Sequence, residues 1–160
     1  MDIRKATIHD LDAITALEAA CFSPAEAASK ESFRSRLEAF ADYFWLLWDG
    51  DRLVSFVNGM VTDEEDLVDE MFHEADRHNP AGAWQMVFGV ATHPDYQRQG
   101  CAAKLLRRAI ADCAYEGRAG LVLTCKDYRI RYYGQFGFED EGVCSSTHGG
   151  AVWHQMRLTF

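Results

Sequence analysis

The six residues Gln97-Arg98-Gln99-Gly100-Cys101-Ala102 constrain this chain more than any other stretch. They follow the apolar run Met86-Val87-Phe88-Gly89-Val90-Ala91-Thr92, closed by His93-Pro94-Asp95-Tyr96, and they open a helical pattern over residues 102–115. A strand that feeds a tight glycine turn into a helix leaves backbone N–H groups unpaired at the helix start. The positive end of the helix dipole stands behind them, so the turn suits a phosphate or pyrophosphate. Gly100 permits close approach, Cys101, Ala102 and Ala103 keep the first turn slim, and Arg98 adds a charged donor at the rim. The dinucleotide turn needs three glycines at fixed offsets, and this stretch lacks them.

A chain of 160 residues supports one domain with a real core, and no apolar run approaches the roughly 20 residues that span a bilayer. The start Met1-Asp2-Ile3-Arg4-Lys5 has no signal-peptide apolar region, so the expected location is cytoplasmic. Cys21, Cys101, Cys113, Cys125 and Cys144 are irregularly spaced and form no C-x-x-C pair. That argues against a disulfide framework and against a zinc site, and no metal is expected. Cys101 sits at a helix start, where thiol pKa values fall, but its place inside the turn makes it a packing residue first. The formal net charge of -9 repels nucleic acid and suits protonated amines.

The periodicities give the order β α α β β, acidic insert, β α β α β β, which is an α/β domain with a mixed sheet. Strands are expected over residues 2–6, 43–48, 52–60, 83–92 and 120–125, and a closing hairpin ends over residues 151–158. Asp49-Gly50 joins the second and third strands as a hairpin. Helices are expected over residues 9–21 with Asp10 as N-cap, 29–40 with Ser29, Ser32 or a nearby residue as cap, 102–115 and 128–135. The stretch 63–79 is crowded with acids, and Leu67, Val68, Met71 and Phe72 read as a helical apolar stripe within it.

This order, with Gln97, Gly100 and Ala102 as Q-x-x-G-x-A and Tyr132-Tyr133-Gly134-Gln135-Phe136-Gly137-Phe138 as aromatic-Tyr-x-x-x-Gly-Phe, resembles the GNAT acyl-CoA N-acyltransferases. Within them the chain is most similar to the arylalkylamine (serotonin-type) group. The similarity runs from Glu18 and Phe22 through Val61-Thr62-Asp63-Glu64-Glu65 and Leu123-Thr124-Cys125-Lys126-Asp127 to Trp153-His154-Gln155-Met156. The resemblance implies one domain over residues 1–160, with the insert at about 61–82. Its sheet would hold about six to seven mostly antiparallel strands, flanked by helices and splayed at the fourth.

It further implies transfer of acetyl from acetyl-CoA to a small primary amine, by direct attack in a ternary complex. Backbone groups of Val90, Ala91 and Thr92 would pair with the pantetheine amides, and one near Val90 would steady the oxyanion. The N–H groups along Gln97, Arg98, Gln99, Gly100, Cys101, Ala102 and Ala103 would take the pyrophosphate. Tyr133 matches the family's catalytic tyrosine, a phenol able to protonate the leaving thiolate. Phe22 and Trp153 match positions lining the amine site, where they would favour aromatic or apolar amines.

One departure matters. The serotonin-type enzymes carry two histidines on the fourth strand, and Met86 and Phe88 stand there in this chain. His148, His73, His78, Glu18 or a water chain are the candidate proton acceptors, while His93 serves its loop. Two alternatives stand beside the leading reading. One is a polyamine or peptide N-terminal acetyltransferase; the other is a non-catalytic acyl-CoA-binding sensor. Homodimers are common in the superfamily, and no segment of the sequence marks an interface.

Overall fold

A computed structural model describes all residues from Met1 to Phe160. In chain order the elements are β1 (Asp2–Lys5), α1 (Leu11–Cys21), α2 (Lys30–Phe40), β2 (Phe44–Asp49), β3 (Arg52–Asn58), β4 (Val61–Thr62) and β5 (Trp84–Val87). Then come β6 (Gly89–Thr92), α3 (Cys101–Tyr115), β7 (Gly120–Cys125), α4 (Ile130–Gly134), β8 (Glu139–Val143) and β9 (His154–Thr159). The strands form two hydrogen-bonded sheets, and the chain divides into two units: Met1–Gly59 with Gly89–Ala109, and Met60–Phe88 with Ile110–Phe160.

The first unit holds the sheet β1-β2-β3-β6, antiparallel throughout. Its apolar residues recur at helical spacing in α1 (Ile14, Leu17) and α2 (Phe33, Leu37, Phe40), and all five are buried. Phe33 meets Phe44 and Phe56 edge-on at 6.3 and 6.0 Å, fastening α2 to β2 and β3. Each such ring pair adds about 1 kcal/mol beyond the area it buries. Of the candidate caps of α2, Ser29 takes the role, its Oγ accepting the Ser32 N–H at 3.1 Å. Asp10 stands at the N-cap of α1 but makes no side-chain bond there. Its carboxylate instead takes the Thr7 N–H (2.8 Å) and both Arg4 Nη atoms (2.9 and 2.7 Å). The Arg4 guanidinium holds that carboxyl below its ordinary pKa.

The second unit holds the sheet β4-β5-β7-β9-β8, where only the β5–β7 pair is parallel. That pair is joined through α3, whose buried Leu105, Leu106, Ala109 and Cys113 mark one apolar face. At Gly120 a Cβ would strike the Leu158 carbonyl, so β7 and β9 run together only because that position has no side chain. The strand expected over residues 83–92 is shared. Residues 84–87 pair with β4 and β7, residues 89–92 pair with β3, and Phe88 lies between.

The acidic insert departs from its expected helix. It contains two single 3-10 turns, Asp69–Phe72 and Ala75–Arg77. A continuous helix would have stacked Glu65 on Asp69, Asp66 on Glu70 and Glu70 on Glu74, four apart and alike in charge. The backbone is held from β9 instead. Gln155 Oε1 accepts the Leu67 N–H (3.1 Å), and Arg157 Nη1 donates to the Glu65 carbonyl (2.7 Å). The expected helix over 128–135 is a 3-10 turn, Asp127–Arg129, running into the shorter α4. No helix is long and apolar enough to cross a membrane.

Candidate active site

In the first unit, β6 has one neighbour in its sheet, β3, so one of its edges is open. The His93 N–H bonds the Val54 carbonyl (2.8 Å), while Val90 and Thr92 lie opposite Val57 and Ser55. Hydrogen-bonded and unbonded pairs alternate in an antiparallel ladder. Ala91 therefore turns its backbone groups toward Phe56, and Val90 and Thr92 turn theirs to the open edge. The Cys21 thiol donates to the Thr92 carbonyl at 3.2 Å, which leaves the Val90 N–H and C=O as a donor–acceptor pair on that edge. Burial pushes the Cys21 thiol up to about 11, so it stays a thiol. Phe22 follows it directly, half-buried at the end of α1.

Beyond β6 the chain makes a braced turn. The His93 ring accepts the Asp95 N–H (3.1 Å), Arg52 reaches Asp95 (3.2 Å), and the Tyr96 hydroxyl donates to Asp49 (2.7 Å). Arg98 then adopts φ 61° and Gly100 φ 81°, both in the left-handed region. Glycine tolerates that region, but arginine there costs about 1 kcal/mol, so the fold spends stability to shape this turn. The first bond of α3 runs from the Lys104 N–H to the Gly100 carbonyl (3.0 Å). The N–H groups of Cys101, Ala102 and Ala103 precede it and have no partner within the helix. Gln97, Arg98, Gln99 and Gly100 are exposed, whereas the Cys101 side chain is buried.

The same unit removes one candidate base. Glu18 is buried, and its Oε2 accepts the Ala28 N–H at 2.9 Å. Its charge also opposes the burial that lowers the Arg36 pKa to about 10. Arg36 in turn donates to Asn58 Oδ1 at 3.3 Å. Glu18 is thus engaged in the interior of this unit.

In the second unit, Tyr133 lies on α4 with its ring edge-on to Tyr132 (5.2 Å) and Phe138 (6.1 Å). Burial raises its phenol pKa above the ordinary value, which keeps it protonated and able to donate. Trp153 is half-buried. Its Nε1 donates to the His148 carbonyl (2.8 Å), and Lys126 Nζ lies 5.7 Å from its ring centre. Phe22 and Trp153 belong to different units, and Tyr133 belongs to a ring cluster separate from that of Trp153.

The two positions where the resemblance places histidines are filled in two ways. Met86 is fully buried core, and Phe88 packs on Phe72 at 4.5 Å. Phe72 in turn stacks on His148 at 6.0 Å with 7° between the planes, and His148 meets Trp153 at 6.0 Å. His78 is occupied by the backbone, accepting the Val61 N–H at 3.0 Å, and burial lowers its pKa. His73 is exposed. The stack Phe88–Phe72–His148–Trp153 was outside the reach of sequence reasoning, because its members come from three remote segments. The bond from Ser146 Oγ to Asp69 (2.6 Å) that ties two of those segments together spans 77 residues.

The family model described as "Acetyltransferase (GNAT) domain" matches residues 10–160. The serotonin N-acetyltransferase of Mesocricetus auratus is 29% identical over 109 residues, covering 68% of this chain and 51% of that protein. The chain therefore spans about half the length of this curated relative. Among solved structures, the GphF GNAT-like decarboxylase in complex with isobutyryl-CoA superposes with a TM-score of 0.82 at 21% identity, covering 99% of each chain. The ribosomal-protein-S18-alanine N-acetyltransferase of Escherichia coli superposes with a TM-score of 0.75 at 22% identity, covering 99% of this chain and 92% of that one. With the family model spanning nearly the whole length, and with an open-edged β6 leading into a glycine turn, the chain belongs to the GNAT acetyltransferase family.

Proposed function

We propose that residues 1–160 act as one acyl-CoA N-acyltransferase domain, moving acetyl from acetyl-CoA to a small primary amine, with arylalkylamines as the first substrate class. The observation that carries this reading is the segment from Val90 to Ala103. It offers a free donor–acceptor pair on an open strand edge, followed by three unpartnered N–H groups at the start of a 15-residue helix. The edge suits the pantetheine amides as an added strand, and the helix start suits the pyrophosphate, with Arg98 beside it. The Val90 N–H is the donor for the thioester oxygen as it gains charge. Tyr133, kept protonated by burial, supplies the proton for the departing thiolate. Phe22 and Trp153 are the proposed amine-side aromatics. A cytoplasmic location and a homodimer belong to the same reading.

The test is thiol release from acetyl-CoA with tryptamine, phenylethylamine, spermidine, lysine and a short peptide as acceptors. Turnover concentrated on the two arylalkylamines supports the reading. The exposed acids Asp63, Glu64, Glu65 and Glu70 favour a second reading, a polyamine acetyltransferase, and a preference for spermidine decides for it. Acetyl-CoA binding without release on any amine points to a sensor.

A further inference from the structure

An alkylamine arrives protonated, and the first obstacle to its acetylation is the proton it carries. We infer that His148 is the acceptor of that proton, taking over from the two histidines that Met86 and Phe88 displace; this rests on the N-acetyltransferase reading above. Four side chains were candidates from the sequence, and the structure occupies two of them. Glu18 is buried beside Arg36 and bonded to the Ala28 N–H, and His78 caps the Val61 N–H. His73 stands exposed with no ring, ion-pair or side-chain hydrogen-bond partner to fix its direction.

His148 is different on three counts. Its imidazole stacks in parallel on Phe72 (6.0 Å, 7°), and Phe72 packs on Phe88 (4.5 Å), the position from which a histidine is missing. Its other neighbour is Trp153, the proposed amine-side aromatic, 6.0 Å away. Its loop is fastened at both ends of the residue. The His148 carbonyl accepts Trp153 Nε1 (2.8 Å), and Ser146 and Thr147 donate to the Asp69 carboxylate (2.6 and 3.4 Å). The loop bonds place the His148 backbone and the Phe72 stacking sets the plane of its ring, and a positioned ring is what proton transfer requires. The phenyl rings of Phe72 and Phe88 fill the space near the strand, and the β8–β9 loop returns an imidazole to the same cluster.

The proton count closes. The ammonium gives one proton to His148, which releases it to solvent. The freed nitrogen lone pair forms the C–N bond at the thioester carbonyl, and the C–S bond breaks with its electron pair on sulfur. Tyr133 protonates that sulfur and recovers a proton from the nitrogen. Two charged groups lie one residue removed from His148: Asp69, bonded to Ser146, and Lys126, 5.7 Å from the Trp153 ring centre.

The experiment compares His148→Phe, which keeps a ring against Phe72, and His148→Gln with the unaltered protein. Two acceptors are used: phenylethylamine, protonated at neutral pH, and O-benzylhydroxylamine, which is neutral there. For phenylethylamine both variants are expected to lose about 100-fold or more in kcat/KM, with part regained at alkaline pH. For O-benzylhydroxylamine the loss is expected to stay within about threefold, since no proton has to leave before attack. Equal losses on both acceptors would mean that His148 only packs, and a fully active His148→Phe would mean the same; either result overturns the inference. Failure of the unaltered protein with both acceptors overturns the arylalkylamine reading, and the role of His148 with it.

Discussion

The segment from Val90 to Ala103 and the stack Phe88–Phe72–His148–Trp153 solve opposite problems by opposite means. The first is a single continuous stretch whose working parts are main-chain groups: the open edge of β6 and the N–H groups that start α3. The second is assembled from three stretches far apart in sequence, and its working parts are rings. In the proposed function a backbone cradle of this kind would recognise what every acyl-CoA shares and tolerate changes of side chain. A ring cluster is specified residue by residue, so it is where substrate choice and proton handling can diverge between relatives. Met86 and Phe88, where the resemblance places two histidines, would be a divergence of that kind.

Substitutions should respect this division, and the largest effect is expected at Tyr133. Tyr133→Phe should lower kcat about 100-fold while acetyl-CoA affinity changes less than about twofold, read by thiol release and calorimetry. A fall in affinity of similar size would place Tyr133 in the cradle and break the comparison. Next, Gly100→Ala puts a side chain where φ is 81°. No atom lies within 4 Å of the added Cβ, so the cost is backbone strain alone. Acetyl-CoA affinity should weaken about tenfold, equal to about 1.4 kcal/mol, with the amine KM unmoved. Smaller still, Asp69→Ala releases Ser146 and Thr147 from the insert and should raise the amine KM about threefold without touching acetyl-CoA affinity.

The smallest effect concerns stability. His78 accepts a backbone N–H and has a pKa lowered by burial, then by Arg118. A depressed histidine pKa favours the folded state fully above the unfolded value of about 6.5. That contribution is lost as pH falls through the folded value. Melting temperature should drop more steeply below about pH 6.5 in the native chain than in His78→Gln, with turnover per folded molecule unchanged.

Much of the fold was legible because short-range rules governed it. The strand expected over residues 120–125 is β7, and the Asp49-Gly50 turn joins β2 to β3. Ser29 caps its helix, and α3 starts one residue before its expected place. The misreadings arose where distant partners decide. The stripe Leu67, Val68, Met71 and Phe72 carries helical spacing, yet Gln155 and Arg157 hold that backbone from about 90 residues away, and like charges oppose the helix. Asp10 fits an N-cap by type, but Arg4 and Thr7 claim its oxygens. The division of the long strand at Phe88 follows from which neighbours each half finds, and no local pattern encodes it. The same holds for the candidate site. The turn at Gly100 announces itself in six residues, whereas His148 stood as one histidine among several until its ring neighbours were known.

The open side of β6 has a further consequence, for solubility. Proteins usually defend a bare strand edge with lysine, proline, a bulge or a cover, because such an edge templates pairing with other chains. Gly89-Val90-Ala91-Thr92 carries none of these within its four residues, and the proposed pairing with a cofactor's amides would leave it little freedom to carry them. Its protection is brevity and the His93-Pro94 step that ends it. On the proposed reading acyl-CoA would then serve as a removable cap: a chain starved of it would present an adhesive strip, and a chain supplied with it would not.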